Sequence, residues 1–161
     1  MNKKLIVLFI IIVCIFFNYS FVFAEVAKGD FSIGLNYPGF GAKYFFSNKI
    51  SGELKSQMEN NIFVGGLRGY YYFSPKAKYL LFAGLEGDFV SFKGEVSEGT
   101  GFASEVFFGG EYFFTKRFSV QLDFGPAWIS LADKSTSESV SGLEYVVNFG
   151  INYYFRREGK Y

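Results

Sequence analysis

Beyond residue 30 the chain alternates apolar and polar positions almost residue by residue, in runs broken by short polar or glycine-containing stretches. A period of two belongs to a strand with one greasy and one polar face, and no segment after Ala24 keeps a helical apolar period beyond two turns. The pattern predicts strands at Phe31–Tyr37, Phe40–Phe46, Ile50–Gln57, Ile62–Phe73, Tyr79–Phe92, Phe102–Phe114, Phe118–Leu131 and Leu143–Phe155, eight in all. Short turns are expected at Ser47–Lys49, Ser74–Lys78 and Thr115–Arg117, and looser polar loops at Met58–Asn61, Ser91–Gly101 and Ala132–Gly142. Phe31 to Phe46 reads either as one long strand or as two. An odd count would leave the chain ends on opposite rims with a parallel seam, whereas Tyr37-Pro38-Gly39 supplies turn chemistry, so two strands are expected.

The two faces differ sharply. One parity collects Tyr44, Phe46, Leu54, Leu67, Tyr71, Leu81, Leu85, Phe89, Val106, Phe108, Leu122, Phe124, Val147, Phe149, Ile151, Tyr153 and Phe155, with no charged residue. The other carries Lys43, Glu53, Lys55, Arg68, Glu86, Asp88, Glu105, Glu111 and Asp123, together with Asn148 and Asn152. A closed sheet in water hides its apolar face inside. Nine charges on the face expected to turn inward point to the reverse arrangement, with lipid outside, where a Lys or Arg at the bilayer midplane costs about 2–4 kcal/mol. Four aromatic phrases strengthen this reading: Lys43-Tyr-Phe-Phe-Ser47, Tyr70-Tyr-Tyr-Phe-Ser74, Glu111-Tyr-Phe-Phe-Thr115 and Asn152-Tyr-Tyr-Phe-Arg156. Each ends a strand at the short-turn side, as an interfacial aromatic girdle would, and Trp128 and Tyr145 suit a second girdle. The expected fold is therefore all-β, an eight-stranded antiparallel up-and-down transmembrane β-barrel.

The first residues sharpen the address. Met1-Asn-Lys-Lys is basic, Leu5–Phe17 is apolar, and Val22-Phe23-Ala24 offers a small-residue cleavage pattern, so residues 1–24 read as a secretory signal peptide and residues 25–161 as one barrel domain. The single cysteine, Cys14, leaves with that leader, which excludes a disulfide framework. Net charge is only +1, so no basic arm points to nucleic acid.

The last strand, Asn148-Phe-Gly-Ile-Asn-Tyr-Tyr-Phe155, resembles the C-terminal assembly signal of bacterial outer-membrane barrels, through Asn148, Gly150, Tyr153 and Phe155. With it, nearly all of Gly29–Phe155 is similar to the small eight-stranded group typified by the transmembrane domain of outer membrane protein A and its opacity-like relatives. The chain departs from such relatives by continuing past Phe155 as Arg156-Arg-Glu-Gly-Lys-Tyr161. The resemblance implies a monomer in the outer membrane of a Gram-negative-type cell. Its implied partners are outer-membrane lipid, the barrel-assembly machinery and an extracellular partner of unknown identity.

Chemistry is sparse. The chain has no histidine, which removes Ser-His and Cys-His nucleophiles and His-based zinc sites. Carboxylate-only catalysis by Glu86 and Asp88 with Glu105 or Glu111 is conceivable, but perturbed buried carboxylates are more often structural. No catalytic, cofactor or metal site is expected. Folding the hairpins places Lys43 opposite Glu53 and Arg68 diagonal to Glu86, as ion pairs filling a lumen just wide enough for side chains. Six inward acids against three bases leave an excess to be met by protons, water or a bound cation. The reading is a non-enzymatic outer-membrane barrel with a structural or surface-interaction role. A narrow channel and an exported soluble, lipocalin-like barrel for an apolar ligand are the alternatives.

Overall fold

In the computed structural model, which describes residues 26–36, 39–75, 79–94, 98–134 and 139–155, the alternating runs become eight strands. They are β1 Phe31–Asn36, β2 Gly39–Phe45, β3 Ile50–Glu59, β4 Ile62–Tyr72, β5 Tyr79–Lys93, β6 Glu98–Phe113, β7 Phe118–Asp133 and β8 Ser139–Phe155. Each pairs antiparallel with the next, and β8 pairs antiparallel with β1, closing an up-and-down barrel. Closure matters energetically because it satisfies the edge groups that an open sheet exposes. The stretch from Phe31 to Phe46 is two strands, Asn36 facing Gly39 across the turn. The turn residues Tyr37 and Pro38, the leader and the tail from Arg156 lie outside the described residues.

Register fixes the tilt. The directly opposed residues Ser32, Lys43, Glu53, Arg68, Glu86, Glu105, Ala127 and Glu144 form one row perpendicular to the strands. Ser32 also opposes Tyr154, so the row returns to β8 ten residues away from where it began. That stagger over eight strands corresponds to strands leaning roughly 40° from the barrel axis.

The facing scheme holds throughout the belt. Leu54, Leu67 and Leu85 are about two-thirds exposed, whereas Lys43, Arg68 and Glu111 are 1–2% exposed. Several boundaries differ from expectation. The Met58–Asn61 loop is a two-residue turn, with Asn60 and Asn61 both at positive φ between the paired Glu59 and Ile62; Asn tolerates that conformation, and this turn matches the strand twist. β6 and β8 each start four residues earlier than predicted, and β5 and β7 run on to Lys93 and Asp133. Most of the two expected long loops is thus hairpin: backbone pairing tolerates the glycines and serines that weakened the alternation. Residues 95–97 and 135–138 of those loops lie outside the described residues.

The short-turn rim is well tied. Ser47 Oγ accepts from the backbone N–H groups of Lys49 and Ile50 (3.2 and 3.1 Å), and Thr115 Oγ1 from those of Arg117 and Phe118 (3.2 and 2.9 Å). Ahead of β1, Val26 is fully buried, with its N–H donating to the Pro75 carbonyl at 3.2 Å. Gly29, at φ +91°, donates to the Phe45 carbonyl at 2.8 Å and turns this segment into β1.

Leu122→Arg and Leu85→Arg, on the outer face of neighbouring walls, should each lower the stability of the barrel in bilayers by about 2–4 kcal/mol. Leu122→Phe should be near neutral. Folded fraction in a denaturant titration, read by the mobility of unheated samples on a gel, checks this, and equal effects of Arg and Phe would refute the facing scheme.

Candidate functional site

The inner face is built in layers. Nearest the short turns lie Phe45, Tyr72, Phe82, Phe107, Phe113 and Tyr154, all essentially buried and sealed beneath by Val26. Their rings touch at centroid distances of 5.0 Å (Phe113 and Tyr154) and 5.2 Å (Phe45 and Tyr72). This corrects the view of the aromatic phrases as a rim alone. Within each phrase alternate rings point opposite ways, so Tyr44, Phe46, Tyr71, Phe73, Tyr112, Tyr153 and Phe155 belong to the outer girdle while Phe45, Tyr70, Tyr72, Phe113 and Tyr154 fill the interior.

Above them lies the charged layer. Four of the perpendicular row's residues are Lys43, Glu53, Arg68 and Glu86, whose signs alternate around the wall. Arg68 Nε stands 2.7 Å from Glu86 Oε2, its Nη2 donates to Asp123 Oδ1 at 2.6 Å, and its guanidinium lies 4.2 Å from the Phe107 ring centre. Lys55 Nζ reaches Glu86 Oε1 at 2.5 Å. Arg68 therefore directly opposes Glu86 and is not diagonal to it; the register is two residues from the one assumed from sequence. Lys43 does oppose Glu53, but at 4.0 Å. Its closer partners are Gln121 Oε1 at 2.7 Å, Tyr72 Oη at 3.3 Å and Glu111 at 3.6 Å, with the Tyr70 ring centre 4.4 Å away.

Neutral donors complete the layer. Glu111 accepts from Tyr154 Oη (2.7 Å), Asn152 Nδ2 (3.0 Å), Tyr72 Oη (3.2 Å) and the Ser119 hydroxyl. Glu53 accepts from Asn36 Nδ2 (2.7 Å) and the Tyr70 hydroxyl. Asp123 also accepts from Gln121 Nε2 and Asn148 Nδ2, both at 2.9 Å. Desolvating a carboxylate costs several kcal/mol, which only such surroundings offset. Asn36, Tyr70, Tyr72, Ser119, Gln121 and Tyr154 were absent from the predicted network, although their parity, shared with Arg68 and Asp123, was the available signal.

Two acids stand apart. Glu105 directly opposes Glu86, breaking the alternation, and Asp88 lies two residues beyond Glu86. Neither forms an ion pair among the described residues; Glu105 Oε2 is 3.5 Å from Asn148 Nδ2, while Glu105 Oε1 and Asp88 Oδ1 are buried without a hydrogen-bond donor. Gly66 makes room for Asp88, whose carboxylate occupies the space a Cβ there would need. Glu111, named with Glu86 as a catalytic option, instead belongs to the Lys43 group, and Glu86 is held by Lys55 and Arg68.

The residues of the assembly signal divide by face. Asn148 and Gly150 are buried inside, Gly150 at the seam opposite Asn36. Tyr153 and Phe155 lie outside, 4.9 Å apart and edge to face, with Phe31 5.8 Å from Phe155 across the closing pair.

Fold and lumen together define a closed, side-chain-filled eight-stranded meander whose polarity is inverted relative to a soluble barrel. No family model matches the sequence, and no curated protein matches it. Among solved structures the chain is similar to the N-terminal β-barrel domain of Pseudomonas aeruginosa OprF, with a TM-score of 0.49 and 14% identity over 78% of this chain and 94% of that one.

A double-mutant cycle of Arg68→Met with Glu86→Gln should give a larger coupling than Lys43→Met with Glu53→Gln, because the first pair is in contact at 2.7 Å and the second is 4.0 Å apart. Arg68→Met alone should cost about 3–5 kcal/mol, because buried Asp123 loses its paired cation and Glu86 is left with Lys55 alone. Unfolding in lipid bilayers, followed by fluorescence, measures both, and a larger Lys43–Glu53 coupling would refute the ranking.

Proposed function

We propose that this chain is a non-enzymatic integral protein of a bacterial outer membrane, with a structural or surface-interaction role in the cell envelope. The observation that carries the reading is the inverted polarity: Leu54, Leu67, Leu85, Val106 and Leu122 lie on the exposed wall while nine ionisable groups point inward. In water such a continuous apolar belt far exceeds what a soluble monomer tolerates. In hydrocarbon it is the stable arrangement, since each backbone polar group of the closed ladder is paired within the wall. On this reading residues 1–24 direct export, the barrel-assembly machinery inserts the chain through its last strand, and outer-membrane lipid is its principal partner. The buried aromatic layer and the ion-paired layer above it favour a plugged scaffold over a channel. A soluble barrel for an apolar ligand is disfavoured, because the greasy face is the outer one.

Cell fractionation combined with unheated and heated gel mobility tests the proposal. The protein should partition with the outer membrane, migrate faster unheated than heated, and aggregate when detergent is withdrawn. A folded protein that stays dissolved in detergent-free buffer would refute it.

A further inference from the structure

The wall of the barrel is uneven. At about 3.3 Å per residue and 40° of tilt, β1 and β2, of six and seven residues, rise about 15 Å, whereas β7 and β8, of sixteen and seventeen, rise about 40 Å. An outer-membrane apolar band is about 25 Å tall. The β1–β2 hairpin therefore ends below the outer edge of that band. Pairing between β1 and β8 stops at Asn36 and Gly150, and that between β2 and β3 at Gly39 and Gln57. From Phe149 back to Ser139, β8 pairs only with β7, leaving its other edge free among the described residues. Among the described residues, then, nothing closes the lumen above the short hairpin, at its side or at its top.

The opening leads into an amphipathic space. Its floor is the unpaired part of the charged layer, with buried Glu105 Oε1 and Asp88 Oδ1 meeting no donor. Its walls are apolar: on the inner parity above those acids stand Val64, Val90, Phe92, Ile129, Leu131 and Val146, all half-buried. Phe92 and Leu131 lie where a Cβ on Gly99 or Gly101 would fall, which places both on the lumen side. Glu59 on β3 and Glu144 on β8 share the inner parity, are exposed, and flank the gap. The nearby cations are engaged, Lys55 by Glu86 and Arg68 by Glu86 and Asp123.

We propose that this upper lumen binds a single-chain cationic amphiphile, in chemical class a long-chain primary amine, admitted from the outer leaflet over the β1–β2 hairpin. The ammonium group supplies the positive charge that Asp88 and Glu105 lack and N–H donors for Asp88 Oδ1 and Glu105 Oε1, and the alkyl chain lies along the apolar walls above them. Acids at the gap and on the floor repel an anionic head of the same chain length. The free backbone groups of β8 offer a polar edge along which a head group passes. This inference rests on the membrane reading and adds to it a ligand class.

The test places a reporter in the cup. Phe92→Trp is made in a Trp128→Phe background, which removes the one native tryptophan, and the barrel is reconstituted in phosphatidylcholine nanodiscs. Leu131→Trp in the same background is a second reporter should the first disturb folding. Quenching is titrated with 12-bromododecylamine and with 12-bromododecanoic acid. The amine should quench saturably at a concentration at least tenfold lower than the acid, and Asp88→Asn with Glu105→Gln should abolish that preference. Equal quenching by both probes, meaning bilayer partition only, would overturn the proposal, as would an amine preference that survives the double substitution. Gel mobility of the same samples reports insertion. Inserted barrel without amine selectivity defeats the ligand alone, whereas a chain that does not insert defeats the membrane reading and the ligand with it.

Discussion

Closing an eight-stranded sheet on itself assigns every strand residue to one of two sides, and in this chain the inner side receives a set of charged side chains, Lys43, Glu53, Lys55, Arg68, Glu86, Glu111 and Asp123 among them, that must be neutralised within a narrow lumen. The rest of the interior follows from that constraint. Arg68 bridges Glu86 and Asp123, Lys55 shares Glu86, and Lys43 sits among Gln121, Glu111 and Glu53. The lone pairs left on Glu53, Glu111 and Asp123 call for neutral donors, and Asn36, Tyr70, Tyr72, Ser119, Asn148, Asn152 and Tyr154 provide them. Beneath this layer the aromatic rings exclude water, which strengthens the ion pairs and raises the penalty for any left incomplete. The polar layer and the aromatic layer are energetically one unit.

Much of this was legible in the chain. Strand number, the antiparallel meander and the inward parity of Lys43, Glu53, Lys55, Arg68, Glu86, Asp88, Glu105, Glu111 and Asp123 followed from the period-two pattern and an even strand count, because a one-residue slip would have turned every charge outward. Individual contacts were less accessible. Arg68 and Glu86 were displaced by one pairing step because their register depends on the turn after Tyr72, and turn length is not written in the alternation. The aromatic phrases looked like a girdle because girdle and core use the same residues, and only strict alternation along Tyr70-Tyr71-Tyr72 separates them. The extended β6 and β8 were hidden by Gly99, Gly101, Ser139 and Gly142, which carry no strand signal of their own.

The unevenness of the wall and the unevenness of the charge coincide, and a single geometric cause links them. The row from Ser32 to Glu144 climbs ten residues per circuit, so its early members Lys43, Glu53 and Arg68 lie low, within the fully closed part of the barrel, and alternate in sign. Glu86 and Glu105, later in the row, stand roughly five to six residues above the level of Ser32, higher than Asn36, where β1 ends. Alternation fails at the level where the wall loses two strands. A closed ring of low dielectric leaves an excess charge nothing to meet but its neighbours, so sign alternation is enforced there. Where the ring is open, a counter-charge arriving from outside does the same work. Uncompensated Asp88 and Glu105 are therefore tolerable at the height they occupy, and would not be tolerable two turns of the ladder lower, among Tyr72, Phe82 and Phe113.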